Sequence, residues 1–126
     1  MARIIIVDDD ELFGDIACDA LSEAGHSVSA VTDGEGAMRA IAAGEPDLLI
    51  LDYNLPGMSG LEVLRQTRRE RPAGELPIMM LTREDGRLLK ARAGHDGASD
   101  YLVKPCRADD LVARVEALLR RRRAPA

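Results

Sequence analysis

The sequence predicts an α/β domain, with a five-stranded parallel sheet covered by helices on both faces. Three observations carry this prediction. Apolar runs of four or five residues alternate with amphipathic stretches, giving β then α five times over. The strongest runs are apolar throughout, the pattern of strands buried on both faces. Acidic, hydroxyl or lysine residues follow most of the runs directly. Parallel strands need crossover connections, and the right-handed rule for these leaves few topologies.

Ile4 to Val7 is the first strand, ending at Asp8, Asp9 and Asp10. Leu12, Phe13, Ile16, Ala17, Ala20, Leu21 and Ala24 then recur at helical spacing, and Gly25 is a good stop. Val28 to Val31 is a weaker second strand. Asp33 can cap a short Ala-rich helix through Ile41, ended by Gly44. Leu48 to Leu51 is the third strand and ends at Asp52. Ser59 can cap a helix carrying Leu61, Val63 and Leu64, which fades before Pro72. The fourth strand is Pro77 to Leu81, with proline acceptable at its first residue. Residues 84–93 read as a polar helix. Asp100 to Val103 is a short fifth strand. A last helix spans 107–122, with Leu111, Val112, Val115, Leu118 and Leu119 on one face.

A length of 126 residues predicts one domain, able to bury enough surface without a metal or disulfide staple. Hydrophobic residues at 46% and charged ones at 31% argue against disorder. Aromatics are only 2%, so the core must be aliphatic, and base-stacking recognition of single strands is disfavoured. The net charge is −5, and before the Arg120–Arg123 run 13 basic residues face 22 acidic ones. That body suits a divalent cation better than DNA phosphates. Cys18 and Cys106 have no metal-ligand spacing and predict a reducing compartment. With no signal-peptide run and no membrane span, the expected location is cytoplasmic.

In open α/β sheets, ligands bind outside the carboxyl ends of the strands. At those ends stand Asp8 to Asp10, Asp52, Thr82 and Lys104 followed by Pro105. Asp10 is best read as an acid at a helix N-terminus. Asp8 and Asp9, facing Asp52, would repel one another unless a cation joined them. Mg²⁺ (Mn²⁺ could substitute) takes such oxygen ligands together with waters and phosphate. An Asp beside a divalent cation is a competent nucleophile toward phosphorus. The metal and Lys104 would neutralise the transferring phosphoryl group, and the Thr82 hydroxyl could donate to it.

These residues resemble the receiver domain of bacterial response regulators. The likeness rests on Ile6-Val7-Asp8-Asp9, on Leu51-Asp52-Tyr53-Asn54-Leu55-Pro56-Gly57-Met58-Ser59-Gly60, on Met80-Leu81-Thr82, and on Gly97 to Pro105. It covers about residues 3–120, with residues 1–122 as the domain and 123–126 as a tail or the start of a linker. It implies a flavodoxin-like sheet of order 2-1-3-4-5, an order already known for receivers. It implies that Asp52 accepts a phosphoryl group from a histidine kinase or phosphotransfer protein. Asp9, Asp52 and the Asn54 backbone carbonyl would ligate Mg²⁺, with Asp8 acting mainly through water. Thr82 and Tyr101 resemble the family's switch pair, and Lys104-Pro105 its cis peptide. The switched face would lie around residues 84–93, the fifth strand and the last helix. Such a protein catalyses its own aspartyl phosphorylation and dephosphorylation without being a conventional turnover enzyme.

Two other classes compete. Haloacid-dehalogenase-type phosphatases also use a strand-end Asp and Mg²⁺, but need an acid two residues later, where this chain has Asn54. A degenerate receiver used only for protein contacts would have lost a site residue, whereas Asp8, Asp9, Asp52, Thr82 and Lys104 are all present. A dinucleotide site fails because Gly34-Glu35-Gly36 lacks the third glycine.

The chain departs from the family at Arg83, usually a small residue, and at Cys106, often Phe. Arg83 would obstruct the phosphoryl site, contact the phosphate or be solvated. Cys106 would loosen packing under the last helix, and a redox role for it lacks any sign of a lowered pKa. Asn54 and Glu84 resemble the pair in the stand-alone chemotaxis regulator. Lys90, Asp100, Asp110 and Arg114 fall where winged-helix regulators place dimer salt bridges, which contribute little singly. Arg120–Arg123 is a favourable helix C-terminal charge that also resembles the end of those receivers. A downstream effector protein, or an output domain missing from this chain, would complete the pathway.

Overall fold

The computed structural model describes residues 1–83 and 97–123. The helix expected over 84–93, with Glu84 and Lys90, lies outside the described residues. The elements run β1 (Arg3–Val7), α1 (Glu11–Glu23), β2 (Ser27–Val31), α2 (Gly34–Gly44), β3 (Leu48–Asp52), α3 (Gly60–Glu70), β4 (Ile78–Thr82), β5 (Asp100–Val103) and α4 (Ala108–Arg123). All strands are parallel, in the order β2-β1-β3-β4-β5. The expected fold class is the one observed.

Side chains alternate across a strand, so each central strand feeds two cores. Ile4, Ile6, Leu48, Ile50, Met79 and Leu81 pack with Ala17 and Leu21 of α1 and with Leu111, Val115, Leu118 and Leu119 of α4. Ile5, Val7, Leu49, Leu51, Ile78 and Met80 pack on the other face with Ala37 and Ile41 of α2 and with Val63 and Leu64 of α3. Every residue of β3 and β4 is buried, which is why their sequences do not alternate. Each fully buried Leu, Ile or Met contributes roughly 1.5–3 kcal/mol. β2 and β5 are the edges and are only partly buried.

The helix starts follow their capping residues. Asp10 accepts the Phe13 N–H at 3.2 Å, Asp33 the Gly36 N–H at 2.6 Å and Ser59 the Glu62 N–H at 3.2 Å. α1 ends in a Schellman turn, with Gly25 at φ 98° and the His26 N–H donating to the Leu21 carbonyl. α2 differs from the expectation. Gly44 stays helical, and Glu45 takes the left-handed conformation instead, at φ 44°. A second difference concerns Leu12 and Ile16, expected on the buried face of α1 but 70% and 50% exposed. The apolar stripe of α1 is wider than its contact with the sheet, which uses Gly14, Ala17 and Leu21.

Two polar ties close the end of the sheet opposite the strand carboxyl termini. Arg68 donates to the carbonyls of Gly97, Arg71 and Leu76 and to the Ser99 hydroxyl, joining α3 to the starts of β4 and β5. His26 Nδ1 accepts the Ala2 N–H at 3.1 Å, which leaves the ring hydrogen on Nε2 for Glu116 of α4, 2.6 Å away. Replacing His26 by Ala orphans both partners and should lower the unfolding free energy by about 1–2 kcal/mol. Gln can accept with its oxygen and donate with its nitrogen, so His26→Gln should lose less than half of that. Chemical denaturation of the three proteins measures the difference.

Candidate functional site

The site is built by register. Val7 of β1 pairs with Leu51 of β3, so Asp8 and Asp52 leave the sheet at the same level. Asp52 pairs with Leu81, and Thr82 with Val103, so Thr82 stands one step further out and Lys104 two. The chain turns to opposite sides of β1 on its way to β2 and to β3, and ligand crevices form at such a switch point.

Asp8, Asp52, Thr82 and Lys104 are all buried, while Asp9 is exposed. Lys104 Nζ lies 2.6 Å from Asp8 Oδ2 and 3.7 Å from Asp52 Oδ2. The Phe13 ring lies 4.5 Å from the same ammonium, a cation–π contact. Asp8 Oδ1 accepts the Asp10 N–H, and Asp52 Oδ1 accepts the Asn54 N–H. The Lys104 N–H donates to the Thr82 carbonyl at 2.6 Å, which holds β4 and β5 together beyond their last pair. Lys104-Pro105 is cis.

Two carboxylates against one ammonium leave a negative charge unmatched. Burial first, and the charge of Asp8 second, push the Asp52 carboxyl up to about 6, although the Asn54 N–H and Lys104 pull it down. One oxygen from each of Asp8, Asp9 and Asp52 falls within 4.8 Å of the others. Ligands on opposite sides of a Mg²⁺ ion lie about 4 Å apart, so the cluster fits the ion with little closure.

The structure therefore brings Asp8, Asp9, Asp52, Thr82 and Lys104 together at one sheet edge. Asn54 lies beside Asp52, and its N–H is directed to the Asp52 carboxylate. Tyr101 is half-buried on the opposite face of β5 from Leu102. Asp100 and Arg114 pair with each other inside one chain at 3.1 Å, and Arg114 also donates to the Tyr101 carbonyl. That ion pair needs no second copy. Asp110 is exposed in the first turn of α4. Burial pushes the Cys106 thiol up more than Lys104 lowers it, so this cysteine is not an activated thiolate. Arg83 is exposed, and its guanidinium lies 3.8 Å from Asp10. Two partners escape sequence reasoning. Phe13 reads as an ordinary helix residue, and Asp10 as a cap with no cross-chain contact.

The profile of the response regulator receiver domain matches residues 4–116, and this chain belongs to that family. Such domains serve two-component systems, and aspartyl phosphorylation with Mg²⁺ is typical of them. Solved structures agree in fold. A chemotaxis protein of Vibrio cholerae, CheY4, is 30% identical, with a TM-score of 0.87 over 94% of this chain and 98% of that one. A two-component response regulator from Clostridium difficile is 27% identical, with a TM-score of 0.91 over 98% of this chain and all of that one. NtrX from Brucella abortus is 31% identical over 96% of this chain but only 27% of its own, with a TM-score of 0.88. Among the described residues no helix is long and apolar enough to cross a membrane.

The raised Asp52 carboxyl makes a signed prediction for protein held in chelator. As pH rises from about 4, the unfolded chain ionises Asp52 first, and the native state lags until about pH 6. The neutral carboxyl therefore stabilises the fold at low pH, and this contribution is lost as pH rises through 6. Asp52→Asn should be more stable than wild type by about 2 kcal/mol at pH 8. The two proteins should converge near pH 4. Urea unfolding across that range measures the gap.

Proposed function

We propose that Asp52 is the phosphoacceptor of a two-component phosphorelay, charged by a histidine kinase or phosphotransfer protein in the cytoplasm. The observation that carries this reading is the Asp52 carboxylate itself. It is buried at a strand end, 3.7 Å from the Lys104 ammonium, and shares a metal-sized cluster with Asp8 and Asp9.

A carboxylate oxygen of Asp52 attacks phosphorus, and the bond from phosphorus to the donor breaks as the new P–O bond forms. The donor's leaving group keeps the electron pair. Asp9, Asp52 and the Asn54 carbonyl would hold Mg²⁺, with Asp8 acting mainly through water, and the bound ion would supply positive charge against the transferring phosphoryl group. Lys104 does the same from the other side and is oriented by Asp8. Thr82 donates its hydroxyl to a phosphoryl oxygen, and Tyr101 turns inward behind it. Glu84, two residues beyond Thr82, orders the water that later removes the group. The affected face comprises residues 84–93, β5 and α4, where an effector protein or an output domain docks. Residues 1–122 form the receiver, and 123–126 a tail or the start of a linker.

Incubation with acetyl phosphate and Mg²⁺ should add one phosphoryl group to the intact mass. Excess chelator should prevent it, and Asp52→Asn should stay unlabelled. Labelling of the Asn variant would move the acceptor elsewhere. The switch is read separately. NMR resonances of Tyr101 and Thr82 should shift when a phosphate mimic and Mg²⁺ are added. Unchanged resonances would leave the acceptor assignment standing and remove the switch.

A further inference from the structure

Two openings lie beside the first turns of α1. One, of about 310 Å³, is bordered by Asp8, Glu11 and Asp15, with no basic residue among the described residues of its lining. The other, of about 430 Å³, is lined by Asp10, Phe13, Arg83, Lys104 and Pro105. Its lining includes Lys104, whose ammonium is 3.7 Å from Asp52, so this opening borders the group next to the carboxylate. A phosphate-bearing donor is repelled from the acidic opening and attracted to the second. Across that second mouth the Arg83 guanidinium lies 3.8 Å from Asp10 Oδ2. The two residues come from different elements. Arg83 follows β4, whereas Asp10 caps α1, and its bond from the Phe13 N–H fixes the carboxylate in place.

We propose that Arg83 and Asp10 form an ion-pair strap over this mouth, slowing passage of phosphoryl donors inward and of water to the phosphorylated site. The strap rests on Asp52 being the acceptor. Exposed ion pairs are weak, so it opens readily and its effect on rates is severalfold rather than absolute. It also makes loss of the label salt-sensitive, because ions screen the pair while neutral water is not steered by charge.

The test is a double-mutant cycle on labelling by acetyl phosphate with Mg²⁺, and on loss of the label after donor removal. Asp10→Asn removes the charge but keeps a side-chain oxygen to cap Phe13. Arg83→Ala and Asp10→Asn should each label and lose the group about two- to five-fold faster than wild type. The double variant should be no faster than Arg83→Ala. Added salt should speed loss of the label in wild type toward Arg83→Ala and leave that rate in Arg83→Ala nearly unchanged. Rates that multiply in the double variant, rates equal to wild type, or slower labelling of Arg83→Ala at every salt concentration would each overturn the strap alone. Absence of labelling in all four proteins would overturn the acceptor reading and the strap with it.

Discussion

Lys104 holds its ammonium 2.6 Å from Asp8 and 3.7 Å from Asp52, with all three side chains buried. Removing three charges from water costs several kcal/mol each, and attraction among them returns that only in part. The count is also unbalanced, with one negative charge left over before exposed Asp9 is included. A sequence selected for stability alone would fill these positions with apolar residues. The cluster is instead consistent with a site that takes up a cation and a phosphoryl group, whose charges complete it.

Holding such a cluster requires a rigid frame, and the fold supplies one. β3 is hydrogen-bonded on both sides, so Asp52 cannot move without disturbing β1 and β4. The turn after Asp52 is equally constrained. A methyl group on Gly60 would collide with the Asp52 carbonyl oxygen, so only glycine lets α3 begin so close to the strand end. The Gly60 N–H in turn donates to the Tyr53 carbonyl and closes the loop. Phe13, projecting from the first turn of α1, contacts the Lys104 ammonium and limits its alternatives.

The parallel sheet, its two covered faces and the strand-end residues were legible in the sequence because short apolar runs and the 3.6-residue period are local patterns, which the strand-end rule converts into a place in space. The order of the strands followed from the family resemblance. What the sequence could not show were contacts between distant positions. His26 and Glu116 meet across 90 residues, and Arg68 gathers carbonyls from three segments. Neither pairing leaves a periodic trace. Leu12 and Ile16 misled in the opposite direction, since periodicity marks an apolar stripe without saying how much of it a neighbour covers. At the end of α2, the expectation that glycine terminates a helix lost to local context. Glu45 takes the left-handed position directly before Pro46, which cannot continue the helix.

The same frame decides where a change at the site can travel. A new dianion on Asp52 would act on Thr82 by hydrogen bonding, and Thr82 belongs to β4. Toward β3 the strand is packed on both faces and paired on both edges, so displacement there is expensive. Toward β5 the partner is an edge strand, only partly buried. The Thr82 carbonyl already accepts the Lys104 N–H, and Arg114 ties the Tyr101 carbonyl to α4. A displacement of Thr82 therefore moves β5 and the start of α4 at lower cost than any other part of the sheet. The proposed output face follows from the order of strands, because β5 is the sheet edge on Thr82's side of Asp52.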